Sequence, residues 1–304
     1  MVNESKVPLA ELRNAHKSYG PVHALSGCNL QIHPGEVVAM LGPNGAGKTT
    51  AVNLMMGLLK PDEGQAQLFG VAPRHARARI RTGVMLQVSG VPDTLRVKEH
   101  IKLFSSYYPN PMPLERVLAV SGLKGLENRS FGKLSGGQKQ RLLFGLAICG
   151  RPELVFLDEP TVGLDVEARR AMWDEIKDLV QHGTSVALTT HYLEEADFLA
   201  DRIVILNKGK IIAEGSPEQI KTLAAKKCIR CYTSLNATQL AVLPGVVSVR
   251  EHRHGVEILT AMAEETLKLM FTKDPGLSQL EIVGAGLEEA FLNLTQDNDT
   301  EVAA

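Results

Sequence analysis

Apolar residues come in three uninterrupted runs, Val37–Leu41, 154–157 and Ser185–Thr189, each followed by turn residues and a stretch of helical periodicity. Strands that stay apolar at every position are those covered on both faces, so this rhythm predicts buried parallel strands in an α/β core. Segments 10–19 and 28–32 mix polar and apolar positions and predict antiparallel strands. Segments 203–206 and 210–213, split by Asn207-Lys208-Gly209, predict a hairpin. From about 94 to 150 the strand signal gives way to helical spacing, with Val97, Ile101, Leu103 and Phe104 on one side of a helix and Leu114, Val117 and Leu118 on another. The expectation is a mixed sheet carrying an inserted helical subdomain at about 88–150.

After Gly215-Ser216-Pro217 a short helix leads into a second pattern: strand 229–234, helix 237–243, strands 246–251 and 256–260, helix 264–272, strand 279–283. That order, βαββαβ, is ferredoxin-like and predicts a small α+β domain of its own. The chain is therefore expected to divide into residues 1–225 and 226–304, with a last helix at 286–294 and a frayed end.

Charge narrows the partners. With 33 basic against 34 acidic residues there is no positive field to hold a polyanion, which excludes sequence-independent nucleic-acid binding. The longest apolar stretches, such as 54–59, fall far short of the roughly 18 to 20 residues of a membrane-spanning helix. The start, MVNESKVPLA, lacks the basic and apolar regions of a secretory signal and predicts a cytosolic protein with reduced cysteines. Cys228 and Cys231 form a CxxC, but a strand at that position puts them on opposite faces, where they cannot share a metal.

The chemistry starts at Gly42-Pro43-Asn44-Gly45-Ala46-Gly47-Lys48-Thr49, which fits GxxxxGK[ST] directly after one buried strand and before a helix beginning near Thr49. Glycines at 42, 45 and 47 let the backbone curl so that its N–H groups point at phosphate oxygens, and Thr50 continues the cradle into the helix. Lys48 is suited to neutralise the β- and γ-phosphates, and the Thr49 hydroxyl to meet Mg²⁺. A second strand ends in Asp158, a carboxylate for the same metal. Glu159 follows at the carboxyl end of that strand, where it can polarise a water aimed at the γ-phosphate.

Leu134-Ser135-Gly136-Gly137-Gln138, lying between these two phosphate motifs, resembles the signature of ATP-binding cassette (ABC) proteins. The resemblance spans about residues 9 to 225 and extends to Gln87 in the loop joining core and helical subdomain, Gly163-Leu164-Asp165 after the catalytic acid, and His191 as the switch histidine. Tyr19, just before Gly20, fits the aromatic that stacks on adenine. It implies an ATPase of the P-loop cassette fold with ATP and Mg²⁺, the metal held by Thr49, Gln87 and Asp158. The catalytic roles would fall to Glu159, His191 and Gln87. Ser135 to Gln138 stand at the start of a helix, a ready anion site. In the family that site serves the facing cassette, which implies a head-to-tail dimer of two copies, with Asp165 near the interface. The sequence Val88-Ser89-Gly90 after Gln87 departs from the usual polar residue there.

No heptad insertion, tandem cassette or basic patch is present. Asp158 to Asp165 (DEPTVGLD) and 286–294 resemble stand-alone ATP-binding subunits of export systems for drugs, antibiotics or lipid-linked cargo. The implied setting is the cytoplasmic side of the cell membrane, attached through a separate transmembrane permease. The alternative is a soluble cassette ATPase of DNA repair or translation.

Overall fold

The structure, a computed structural model, describes residues 7–86, 90–223, 227–252, 255–284, 286–288, 290–292, 294 and 295. The chain forms two compact units, Met1–Ser216 and Pro217–Ala304. The helix of residues 217–223 lies in the second unit.

In chain order the first unit contains β1 (Ala10–Tyr19), β2 (Val22–Ile32), β3 (Val37–Leu41), α1 (Lys48–Met55), β4 (Glu63–Leu68), α2 (Ala76–Arg79) and β5 (Thr82–Met85). These are followed by α3 (Val97–Ser105), α4 (Leu114–Val120), α5 (Gly136–Ile148), β6 (Leu154–Asp158), α6 (Val166–Gln181), β7 (Ser185–Thr189), α7 (Leu193–Leu199), β8 (Arg202–Asn207) and β9 (Lys210–Gly215). Two sheets organise it. The larger has the order β5-β6-β7-β3-β8-β9, parallel apart from the β8–β9 hairpin; the smaller, β2-β1-β4, is antiparallel. The central strands β3, β6 and β7 are buried at every position, as their unbroken apolar runs require. Leu12, Leu30 and Ile32 of the small sheet share one core with Met40, Phe156 and Val204 of the large one and with Leu54 and Met55 of α1.

Three details depart from the sequence pattern. Strands β4 and β5 are additions: β4, EGQAQL, is largely exposed at the edge of the small sheet, and β5 has only four residues, so neither carries an alternation long enough to read. Strand β2 starts at Val22, because the turn at Gly20, with φ 58, returns the chain at once to pair Tyr19 with Val22. In α3, Val97 and Ile101 are buried but Leu103 is 41% exposed, so the buried stripe is narrower than the apolar spacing suggested.

The second unit begins with α8 (Pro217–Leu223) and continues β10 (Lys227–Tyr232), α9 (Ala237–Ala241), β11 (Val246–His252), β12 (Gly255–Thr260), α10 (Ala263–Lys273) and β13 (Ser278–Gly284). Its sheet order is β11-β12-β10-β13 with every pair antiparallel, the ferredoxin-like arrangement. Ile229, Cys231 and Ile258 meet Leu240, Leu267 and Met270 from the two helices in its core.

Cys231 belongs to that core and Cys228 does not, which places the two thiols of the CxxC on opposite faces of β10. All four cysteines are buried, and none is in a disulfide. Burial pushes the thiols of Cys28 and Cys231 up to about 11, so thiolate is scarce at neutral pH. The native protein is expected to show no fast reaction with an aromatic disulfide reagent at neutral pH and to release 4 equivalents after denaturation. A rapid native equivalent would contradict this burial.

Candidate active site

The loop of residues 42–47 joins the carboxyl end of β3 to α1, whose N-cap is Gly47 at φ 107 and whose first residue is Lys48. A Cβ on Gly47 would lie 2.4 Å from the Ala24 carbonyl oxygen, and one on Gly42 2.3 Å from that of Leu206. The backbone is packed too closely there for any side chain. The helix start leaves its first-turn N–H groups without intrahelical acceptors, which makes the loop an anion cradle. Thr49 is exposed at that start and Thr50 half-buried.

Lys48 is buried, and its Nζ donates to the carbonyls of Gly42 at 2.6 Å and Pro43 at 3.1 Å. Burial lowers its pKa, and the carboxylates of Glu159 and Asp158 oppose that fall. The ammonium therefore lies in the field of both acids.

Those acids are placed by strand register. In the parallel sheet Asp158 of β6 stands opposite Thr189 of β7, and Thr189 opposite Met40 of β3, so the carboxyl ends of three strands lie side by side next to the loop. Ligands bind at this edge of open α/β sheets. The Thr189 hydroxyl donates to Asp158 Oδ1 and accepts the Glu159 N–H at 3.3 Å, while the Glu159 N–H also reaches the Thr189 carbonyl at 3.0 Å. Glu159 itself has φ 52, a left-handed backbone that turns its side chain out of the strand direction. Its Oε1 lies 3.3 Å from His191 Nδ1, with the carboxyl largely buried and the imidazole 48% exposed. From the other side Gln140 Nε2 of α5 donates to the Glu159 carbonyl at 3.1 Å.

Ser135 is the N-cap of α5: its Oγ accepts from Gln138 N at 3.3 Å, and Gln138 Oε1 accepts from Ser135 N at 3.1 Å. Such a reciprocal cap is worth about 1 kcal/mol to the helix. Among the described residues, no hydrogen bond joins this turn to loop 42–50. The position of a Cβ on Gly137 is 3.1 Å from Leu164 Cδ2, so the turn packs against segment 163–165, and Gly136 faces open space. Asp165 caps α6, its Oδ1 accepting from Ala168 N at 2.8 Å. Tyr19 is 49% exposed at the end of β1. Gln87 lies outside the described residues, and so do Val88 and Ser89.

The structure thus brings loop 42–50, Asp158, Glu159 and His191 to one sheet edge. It adds Thr189 and Gln140, which the motifs had not singled out. Thr189 was legible in principle: aligning the last residues of two parallel strands of equal length puts it opposite Asp158. Gln140 carries no such signal, since its role depends on where α5 packs.

A family profile described as ABC transporter matches residues 25–162. Nod factor export ATP-binding protein I from Burkholderia orbicola is 35% identical over 293 residues, covering 94% of this chain and 96% of the relative. The protein of the same name from Rhizobium etli is 33% identical, over 94% of this chain and 92% of its own. Among solved structures, an ATP-binding subunit of an ABC transporter superposes with TM-score 0.65 at 27% identity, covering 70% of this chain and 92% of that one. A dimeric ATP-binding cassette in a post-hydrolysis state with ADP and Pi gives 0.63 at 28% identity, covering 68% and 98%. Strand–loop–helix cradle, paired acids at one sheet edge and full-length similarity agree: the chain belongs to the ABC transporter family, among its ATP-hydrolysing ATP-binding subunits.

Proposed function

We propose that the chain powers export through a separate membrane-spanning partner, working as a head-to-tail pair of copies on the cytoplasmic side of the membrane. The observation that carries the catalytic part is the Glu159–His191 contact beside Asp158 and within the field of Lys48. Tyr19 offers adenine an exposed aromatic face, loop 42–50 cradles the phosphates, and Lys48 neutralises them. Thr49 and Asp158 are a hydroxyl and a carboxylate near one loop, hard oxygen donors suited to Mg²⁺, which when bound offsets charge on the β- and γ-phosphates; Gln87 is the further candidate ligand. Glu159 accepts the proton of the attacking water, and His191, whose Nδ1 faces the same carboxylate, contacts the γ-phosphate or the attacking water. Ser135 to Gln138 and Asp165 lie on one packed surface and present a helix start to the facing copy's nucleotide.

Export rather than import rests on the relatives, whose names concern Nod factor export and whose similarity includes the second unit. Drug or antibiotic cargo draws no support from them. No helix among the described residues is long and apolar enough to cross a membrane, which fits a separate permease. Affinity isolation of the chain from native membranes is expected to recover a multi-span protein that changes its ATPase rate. Recovery only with ribosomes or DNA would overturn the transport reading.

A further inference from the structure

Behind the site lies a carboxyl that none of the assigned roles uses. Glu195 of α7 is 0% exposed. Its Oε1 accepts from Thr161 Oγ1 at 2.8 Å and from Trp173 Nε1 at 2.9 Å, and its Oε2 is buried with no hydrogen-bond partner among the described residues. The three groups come from three parts of the site. Thr161 stands in the turn between Glu159 and Asp165, where Val162 N donates to the Glu159 carbonyl at 3.3 Å and Leu164 N to that of Thr161 at 3.2 Å. Trp173 is in α6, the helix Asp165 caps. Glu195 N donates to the Tyr192 carbonyl at 3.1 Å, one residue past His191. Two further contacts run the same way: the Arg169 guanidinium lies 4.6 Å from the Tyr192 ring centroid, and Trp173 stacks on Phe198 with centroids 5.1 Å apart.

We propose that Glu195 is a positioning residue for ATP hydrolysis, its one oxygen clamping the Glu159–Asp165 turn and α6 to the loop that carries His191. This rests on the roles given above to Glu159 and His191. Burial raises the pKa of this carboxyl, opposed by Thr190, Trp173 and Thr161 and by the charge of Arg169, and the clamp itself needs only an acceptor oxygen, which carries the bonds from Thr161 and Trp173. A glutamine then replaces it well, whereas an alanine leaves the Thr161 hydroxyl and the Trp173 N–H without their acceptor.

The test measures kcat and KM for ATP on the full chain for Glu195→Gln, Glu195→Ala, Thr161→Val and the pair Thr161→Val/Glu195→Ala, with Glu159→Gln alongside. Glu195→Gln should stay within about twofold of wild type. Glu195→Ala and Thr161→Val should each lower kcat by on the order of tenfold at unchanged KM, as small displacements of catalytic groups do. The pair should lose little more than Glu195→Ala alone, because both remove the same bond. Trp173 is the only tryptophan, so its emission should shift in Glu195→Ala and not in Glu195→Gln. If Glu195→Ala fails to fold, Thr161→Val carries the test. Wild-type kcat in Thr161→Val, or a Glu195→Gln as damaged as the alanine, overturns the proposal while an inactive Glu159→Gln leaves the site assignment standing. Normal turnover in Glu159→Gln overturns both.

Discussion

Glu159→Gln is expected to lower ATP turnover by about 10² to 10⁴-fold, the range typical of losing a general base, while nucleotide binding is retained. The substitution keeps the size and the backbone bonds of the residue, since the Glu159 N–H is held by Thr189 and its carbonyl by Gln140. What it removes is a negatively charged acceptor for a water proton and the charge facing His191 Nδ1 at 3.3 Å. Under the proposed mechanism binding depends on loop 42–50 and Lys48, which the change does not touch. The variant is therefore expected to accumulate with ATP bound, and under the dimer proposal to elute as a stable pair of copies in ATP but not in ADP. Steady-state phosphate release and size-exclusion chromatography with each nucleotide check this. Wild-type turnover would remove Glu159 from the mechanism.

Lys48→Ala is expected to act on the opposite step. The ammonium is buried, is already directed by the carbonyls of Gly42 and Pro43, and sits at the first residue of α1. Charge-assisted bonds to phosphate are worth about 1.5 to 3 kcal/mol each. Removing the donor should weaken nucleotide affinity by roughly tenfold to over a hundredfold, a conversion at about 1.4 kcal/mol per decade. The fold should survive, because alanine suits a helix start and removes a buried charge that burial penalises. Equilibrium titration with a fluorescent ATP analogue, beside thermal melts without nucleotide, separates the two effects. Undiminished affinity would refute the role of Lys48 in the cradle.

The contrast between these variants reflects what a sequence carries. Loop 42–49 and Asp158-Glu159 were readable as candidates because the residues proposed for each chemical task are adjacent in the chain, at the end of a strand whose burial forces an apolar run. The ferredoxin-like order was readable for the same reason, since each element switches the apolar period from two to 3.6. Strands β4 and β5 escaped because an exposed edge and a four-residue strand need no such pattern. The Thr189 bridge and the Glu195 clamp escaped for a different reason. Each joins residues some thirty positions apart, such as Thr161 with Glu195 or Glu159 with Thr189, through a single polar atom, and their residue types alone announce nothing.

The left-handed backbone of Glu159 sets the proposed catalytic position against the fold that holds it. A non-glycine residue at φ 52 costs about 1 to 2 kcal/mol relative to an ordinary conformation, a sizeable part of a domain's net stability. Glycine at that position would release the strain and erase the acid together. Variants selected only for thermal resistance should drift toward exchanging function for stability at this residue, whereas retained activity keeps a conformation that the rest of the core must outweigh.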